Sequence, residues 1–400
     1  MQSKPHNRLC GMSMLSLLLF ALALNSCLGK PVLQHQVLGY DEVTRSLEEK
    51  LLLMNIARVD SVETIHFTST SSIAATFDWT TTLGAGAQIS ESPGFDFFNF
   101  NFNTSVSENP TFSIIPLSGQ EFTKRIMTPF KDNVFESLVF QNGTVNQLMR
   151  LVAAGIEVQT PEGHFARFIE NSPRRAQEYE EFRRIAAHLQ WLLNNRQLFV
   201  RSLVFKETMV ADFKGVPTAE DIAKGMVKGL KWRQKPDGNY ELTRLQGGRV
   251  MISNFDPVAL TEEERFLINE KIKKTPPGHV YLHIRPDGPG GDFPIQGAIK
   301  LRSLFQILWF LADGIRAEKE FDVAPDPRTL GATESPTSTL KINITDSAPG
   351  KDLPSINYKG RYYTVNDTYW DRDQFFTLNI LFQTAVGDVE AVGFPITIAK

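Results

Sequence analysis

The stretches "IAATFDWTTTLGAGAQI" (residues 73–89) and "FFNFNFNTSVSENPTFSII" (residues 97–115) decide the fold of this chain. In the first, eight of the nine odd positions are apolar, and seven of the eight even positions are polar or glycine. In the second, the even positions are mostly apolar and the odd positions from 99 to 113 are all polar. Alternation with a period of two is typical of a β-strand with one apolar face. The two runs therefore predict one long amphipathic β-hairpin over about residues 72–115.

The predicted apolar face of this hairpin carries its largest side chains. They are Phe77, Trp79, Leu83, Phe98, Phe100 and Phe102. Pro110 cannot donate a ladder hydrogen bond, so it predicts a strand end or a bulge.

Two interpretations of the apolar face are open. It can cover the core of the protein itself, as half-buried antiparallel sheets do. It can also enter a membrane as part of an oligomeric barrel shared by several copies, because a lone hairpin would leave backbone groups unpaired in lipid. In both cases the long strand edges favour self-association.

The N-terminus has the features of a secretory signal peptide. Lys4 and Arg8 precede an apolar run of about 13 residues, which is too short to span a bilayer as a helix. We expect residues 1–26 to be this signal peptide and residues 27–40 to be a tether.

The residues Leu24-Asn25-Ser26-Cys27 resemble the lipobox of bacterial lipoproteins. The resemblance implies that Cys27 is the first residue of the mature protein and carries fatty acyl chains such as palmitate, which anchor it to a membrane. In that class, a residue other than Asp after the cysteine, here Leu28, implies the outer membrane, with the protein facing the periplasm. The alternative is a plain secretory signal with an accidental cysteine.

Composition excludes several classes of protein. Removal of residues 1–26 leaves 40 basic and 45 acidic residues, a formal charge of −5, and no basic block that would favour nucleic acid. The mature chain would keep one cysteine, so an internal disulfide or a thiolate metal cluster is excluded.

The rest of the chain mixes helical and strand patterns without regular βαβ units, which predicts an α+β fold. The predicted divisions are a helical region carrying the hairpin (41–160), an α+β core (161–321), a linker rich in Pro, Ser and Thr (322–338) and a C-terminal β-β-α-β segment (339–400).

The sequence contains no recognised catalytic or cofactor motif, so we predict no catalytic, cofactor or metal residues. His279 and His283 are four residues apart on a predicted strand, which separates them by about 13 Å, too far to share a metal. The C-terminal aromatic residues, such as Tyr362 and Trp370, leave open a carbohydrate site with nearby acids such as Asp371. These observations favour a non-enzymatic role and leave an enzymatic one open.

Four stretches resemble a family of functionally uncharacterised bacterial lipoproteins. They are residues 51–73, 109–130, 301–315 and 358–384. The resemblance implies a location and a kind of protein, and it transfers no site residue. We therefore expect an outer-membrane-anchored periplasmic lipoprotein with a structural or transport-associated role. Its expected partners are the membrane and either copies of itself or an envelope protein complex. The alternative function is a periplasmic ligand-binding module or a carbohydrate-active enzyme.

Overall fold

The computed structural model describes residues 29–88, 97–142, 144–317, 319–329, 335–350, 353–386 and 396–399. The helices in these ranges are α1 (Gly29–Asp60), α2 (Gln120–Met127), α3 (Asp132–Asn142), α4 (Val145–Val152), α5 (Ala176–Asn194), α6 (Ala219–Val227), α7 (Glu262–Lys273), α8 (Leu304–Arg316) and α9 (Tyr369–Val386). The strands are β1 (Phe67–Gln88), β2 (Phe97–Leu117), β3 (Ala153–Gln159), β4 (Phe165–Glu170), β5 (Phe199–Phe213), β6 (Leu230–Gln234), β7 (Tyr240–Ser253), β8 (His279–Ile284), β9 (Ile295–Leu301), β10 (Ile342–Thr345), β11 (Ser355–Tyr358), β12 (Arg361–Val365) and β13 (Ile396–Ala399).

The described strands form three sheets, and the predicted α+β class is confirmed. The largest sheet has the order β4-β3-β9-β8-β7-β5, with β6 also paired to β7. Among its described strands the one parallel pair is β7 with β8, and α7 provides the crossover that a parallel pair requires. The two smaller sheets have the orders β10-β12-β11 and β1-β2-β13.

Two compact units divide the chain. One consists of the described residues up to Leu52, His66–Leu117 and β13; the other consists of Leu53–Ile65 and the described residues of Ser118–Val389 and is called the body below. The body therefore continues through the predicted divisions at residues 161, 322 and 339.

The core of the body follows from helical periodicity. Apolar residues recur on α5 at spacings of three and four, and this stripe is fully buried: Tyr179, Phe182, Ile185, Ala186, Leu189 and Leu192. Helix α8 buries Leu304, Ile307 and Leu308 in the same way and begins with a capping box between Ser303 and Gln306. The apolar residues of the central strand β8 are also buried.

Helix α1 already begins at Gly29, within the predicted tether. Pro31 does not prevent this helix, since it lies in the first turn, where a backbone N–H has no helical acceptor. Residues 1–28, including the predicted signal peptide and Cys27, lie outside the described residues.

The predicted linker is part of the body where it is described, at residues 322–329 and 335–338. Its composition is that of a linker, but Asp326 and Thr329 are buried. The carbonyl groups of Pro336 and Thr337 accept hydrogen bonds from arginine side chains inside the body. Buried hydrogen bonding of this kind fixes a segment that has no regular secondary structure.

Candidate functional site

The hairpin β1–β2 is the most unusual feature of the molecule. Its strands contain 22 and 21 residues and pair continuously from Phe67↔Leu117 to Gln88↔Phe97, apart from one bulge. At about 3.4 Å per residue the ladder is ~70 Å long, several times a usual strand. The predicted hairpin is confirmed, and it extends further at its base than residues 72–115.

The register brings the apolar positions of the two strands together. Trp79 pairs with Val106, Leu83 with Phe102, and Phe77 with Glu108. Directly opposed residues of an antiparallel pair lie on the same face. The six predicted residues of the apolar face, Phe77, Trp79, Leu83, Phe98, Phe100 and Phe102, therefore share one face of the ladder.

A β-bulge between Thr70 and Ser72 produces this register. Below the bulge, odd positions of β1 pair with odd positions of β2, as in Phe67↔Leu117. Above it, odd positions of β1 pair with even positions of β2, as in Ile73↔Phe112. Since the apolar set is odd in β1 and even in β2, one extra residue in β1 is what aligns the two sets.

Within the part of the chain that the structure describes, both outer edges of the hairpin have long stretches of backbone with no neighbouring strand. Strand β13 covers Thr111–Ile114 of β2, and the described residues include no other neighbour of β1 or β2. The prediction that Pro110 marks a strand end or a bulge is wrong, because Pro110 pairs in register with Ala75 inside β2 and the bulge of this ladder lies between Thr70 and Ser72 of β1. Proline is compatible with an edge strand, and β2 is an edge strand at that point.

A cleft of about 250 Å³ lies in the body beside α8. Phe305 and Trp309 are one helical turn apart, with ring centroids 6.0 Å apart. Trp309 is 40% exposed, so its ring is accessible to a ligand. The remaining lining residues are Ala154, Glu170, Asn171, Ser172, Pro173, Arg302, Gln306, Phe310, Asp313 and Gly314.

Arg302 is the buried cation of this cleft. Its guanidinium lies over the Phe310 ring at 3.8 Å and donates to the carbonyl groups of Leu151 (3.0 Å) and Asn171 (2.8 Å). Burial lowers the pKa of Arg302 to about 9, which still leaves it charged at neutral pH.

The cleft also carries acceptors. The Asp313 carboxylate accepts from Arg316 at 2.5 Å. Asn171 donates from Nδ2 to the Ala153 carbonyl at 2.8 Å, and its buried Oδ1 has no partner among the described atoms. An aromatic wall with amide and carboxylate acceptors is suited to holding a small polar molecule. The residues lining it include no His or Cys.

A second group of buried charges lies deeper in the body. Arg150 is fully buried, lies 3.5 Å from Glu320 and donates to the carbonyl groups of Pro336 (2.7 Å) and Thr337 (2.8 Å). Burial lowers the pKa of Arg150 to about 10. Arg183 donates to the same two carbonyl groups, at 3.0 Å each. These donors are used internally, so we interpret the group as structural.

Sequence reasoning missed both arginines, although a signal was present. Arg150 interrupts the apolar run "LMRLVAA", and Arg183 lies one turn after Tyr179 on the buried stripe of α5. An arginine at an inward-facing helical position predicts a buried partner, since an unpaired buried charge is costly.

Two of the C-terminal residues considered for the alternative carbohydrate site make hydrogen bonds within the body. Trp370 is half-buried and donates to the Thr339 carbonyl at 3.0 Å. Asp371 is buried and accepts from the Lys341 N–H (2.8 Å) and the Thr368 hydroxyl (2.6 Å). Neither they nor Tyr362 line the cleft beside α8.

The two histidines singled out by sequence have separate surroundings. His279 Nε2 lies 3.3 Å from a Glu157 carboxylate oxygen. His283 Nδ1 has no hydrogen-bond partner among the described atoms, and burial lowers the pKa of His283 to about 4. Within the described side chains, no group of three or more His, Cys, Asp or Glu could hold a metal ion.

Comparison of the chain with known protein families, with curated proteins and with solved structures found no match. Among the described residues, no helix is both long and apolar enough to cross a bilayer. The resemblance to bacterial lipoproteins stays a prediction.

Proposed function

We propose that this protein is an outer-membrane-anchored periplasmic lipoprotein that assembles with copies of itself by adding hairpin strands edge to edge. Its role in the envelope is structural or transport-associated. Cys27 carries the acyl chains, and β1 and β2 supply the strands. The observation that carries the proposal is the length of β1 and β2 along which the described residues include no further strand, apart from β13 at Thr111–Ile114.

Strand addition is a common mode of association because each new edge contact satisfies backbone groups along its whole length. Soluble proteins usually protect long edges with charged side chains. The outer edges here have one charged residue on β1, Asp78, and one on β2, Glu108. Edges of this composition favour a partner strand.

The test is the native mass of the mature protein in mild detergent, with and without the outer part of the hairpin. The register allows a clean truncation: Asp78 and Ser107 are directly opposed, so an Asn-Gly turn can replace residues 79–106. The base of the hairpin and its pairing with β13 are then kept. We expect a discrete oligomer for the intact chain and a folded monomer for the truncated chain.

An equal number of subunits in the two forms would contradict the proposal. Acylation is tested separately by incorporation of labelled palmitate, which Cys27→Ser should abolish and Cys10→Ser should not.

The cleft beside α8 supports a second candidate function, the binding of a small polar ligand such as a sugar. Its accessible Trp309 ring and nearby acceptors are the specific observation. Calorimetric titration with maltose and with N,N′-diacetylchitobiose tests it, with Trp309→Ala as the comparison. Heat of binding that Trp309→Ala removes would support a ligand-binding module; no heat with either sugar would count against sugar binding.

A further inference from the structure

The register of the hairpin defines a band without charge. From Trp79↔Val106 to Gln88↔Phe97 the ladder contains ten directly opposed pairs, and no residue in them is Asp, Glu, Lys or Arg. On both strands the band ends at the same level, because Asp78 pairs with Ser107 and Glu108 pairs with Phe77. Thirty positions separate these two acids in sequence, so only the pairing shows that they mark one boundary.

The height of this band matches a membrane. Ten residues at about 3.4 Å each give ~34 Å along the strand, and a tilt of about 45° reduces the height to ~24 Å. The apolar band of outer-membrane strands is about 25 Å tall.

The composition of the band also matches. One face holds Trp79, Thr81, Leu83, Ala85, Ala87, Phe98, Phe100, Phe102, Thr104 and Val106, and the other holds uncharged polar residues, glycines and, in the last pair, Phe97. Trp79 lies in the first pair and Phe98 in the last but one, as aromatic residues do near both interfaces of membrane strands. A polar face without a single charge is unusual for a sheet that meets bulk water.

We propose that this band, residues 79–88 and 97–106, spans the bilayer as two strands of a barrel built from one hairpin per copy, with the face of Phe98, Phe100 and Phe102 toward the acyl chains. The inference rests on the proposed self-association. Hydrocarbon cannot hydrogen-bond the backbone, so both edges of each hairpin need neighbouring strands before the band can enter. The base of the hairpin, which carries the acids, stays on the periplasmic side.

The test places single thiols along the band of the full-length, acylated protein. Acylation would block Cys27, and Cys10 would leave with the signal peptide, so an introduced cysteine is the one reactive thiol. Phe100→Cys, Asn101→Cys, Phe102→Cys and Asn103→Cys are each labelled with a fluorophore and reconstituted into vesicles of phosphatidylethanolamine and phosphatidylglycerol. Each is then quenched by a nitroxide lipid and, separately, by iodide.

We expect the nitroxide lipid to quench strongly at positions 100 and 102 and weakly at 101 and 103. Two outcomes overturn the inference. The absence of lipid quenching at all four positions means that the apolar face covers the body or another copy. Equal quenching at all four positions means that the hairpin lies on the membrane surface. Cross-linked mass in the same vesicles separates the two claims. An oligomer without alternating quenching overturns insertion alone, whereas a monomer overturns the self-association as well.

Discussion

Two long antiparallel ladders in this chain differ in how many charged residues they carry. Strands β5 and β7 contain 15 and 14 residues and carry seven charged residues: Arg201, Lys206, Glu207, Asp212, Glu241, Arg244 and Arg249. Several form pairs across the ladder, such as Lys206 with Glu241 at 2.7 Å and Arg244 with Glu207 at 2.8 Å. The longer hairpin β1–β2 has two charged residues, Asp78 and Glu108.

This difference in charge is not predicted by the alternation of apolar and polar residues alone. Period-two patterning predicts that a strand has two unlike faces, and it does not say what the polar face meets. The β5–β7 ladder has the charged surface expected in water. The outer hairpin has the uncharged surface expected where strands meet one another or lipid.

The largest expected effect lies in the body. Arg150→Ala removes a buried cation, leaves the Glu320 carboxylate without the cation that lies 3.5 Å away, and takes away one of the two arginine donors to the Pro336 and Thr337 carbonyl groups, so we expect a loss of about 3–5 kcal/mol in the free energy of unfolding. Urea denaturation followed by circular dichroism measures it. Arg174→Ala, whose side chain is 65% exposed, is the control and should change stability by less than about 0.5 kcal/mol. Equal losses in both variants would show that the buried group carries no special role.

The cost of a charge introduced into the hairpin should depend on whether it lies on the apolar or the polar face of the ladder. Phe102→Arg lies near the middle of the uncharged band on the apolar face and should cost about 2–4 kcal/mol per copy in a membrane. Asn101→Arg, one position away on the polar face, should cost much less. The fraction of oligomer that survives mild detergent measures both. Similar losses in the two variants would remove the distinction between the faces.

Acid should weaken the body before it affects the hairpin, whose strands contain no histidine. Burial lowers the pKa of His283 from 6.5 to about 4, so the unfolded chain takes up its proton at higher pH than the folded chain. The free energy of unfolding therefore keeps its full value above pH 6.5 and decreases as the pH falls toward 4. The decrease due to His283 is about 2 kcal/mol by pH ~5. His283→Phe should flatten the dependence of urea unfolding on pH over that range. An unchanged slope in this variant would assign the effect elsewhere, for instance to His188, whose pKa is also lowered by burial.

The smallest effect is expected on the charged ladder. The side chains of Arg244 and Glu207 are 42% and 40% exposed, so Glu207→Gln should cost about 0–1 kcal/mol of unfolding free energy. It should leave the oligomer unchanged. A loss of assembly in Glu207→Gln would place part of the interface on β5–β7 and break the contrast between the ladders.

Local sequence signals predicted the elements well where each residue's neighbours are near in sequence. Thr261 followed by Glu264 three residues later is the sequence signature of a capping box, "KPDG" at residues 235–238 is that of a tight turn, and the structure contains both. The alternation over residues 73–89 and 97–115 was enough to predict the hairpin.

Features that depend on distant pairing were not predictable from the sequence. The bulge between Thr70 and Ser72 sets which positions of β1 and β2 face together, and no composition signal marks it. The segment at residues 335–338 has the composition of a linker, because the arginines that hold it, Arg150 and Arg183, are more than 150 positions earlier. The cleft likewise combines the end of β4 with α8, which are far apart in sequence.

The central claim is that the edges of β1 and β2 are paired in the assembled protein, and amide hydrogen exchange tests it most directly. In an isolated antiparallel hairpin, alternate N–H groups of each strand point outward and exchange quickly. We predict that nearly all amides of residues 72–88 and 97–107 are protected in the intact protein in mild detergent. Rapid exchange of about half of them, as the alternating hydrogen-bond pattern requires for free edges, would contradict the account.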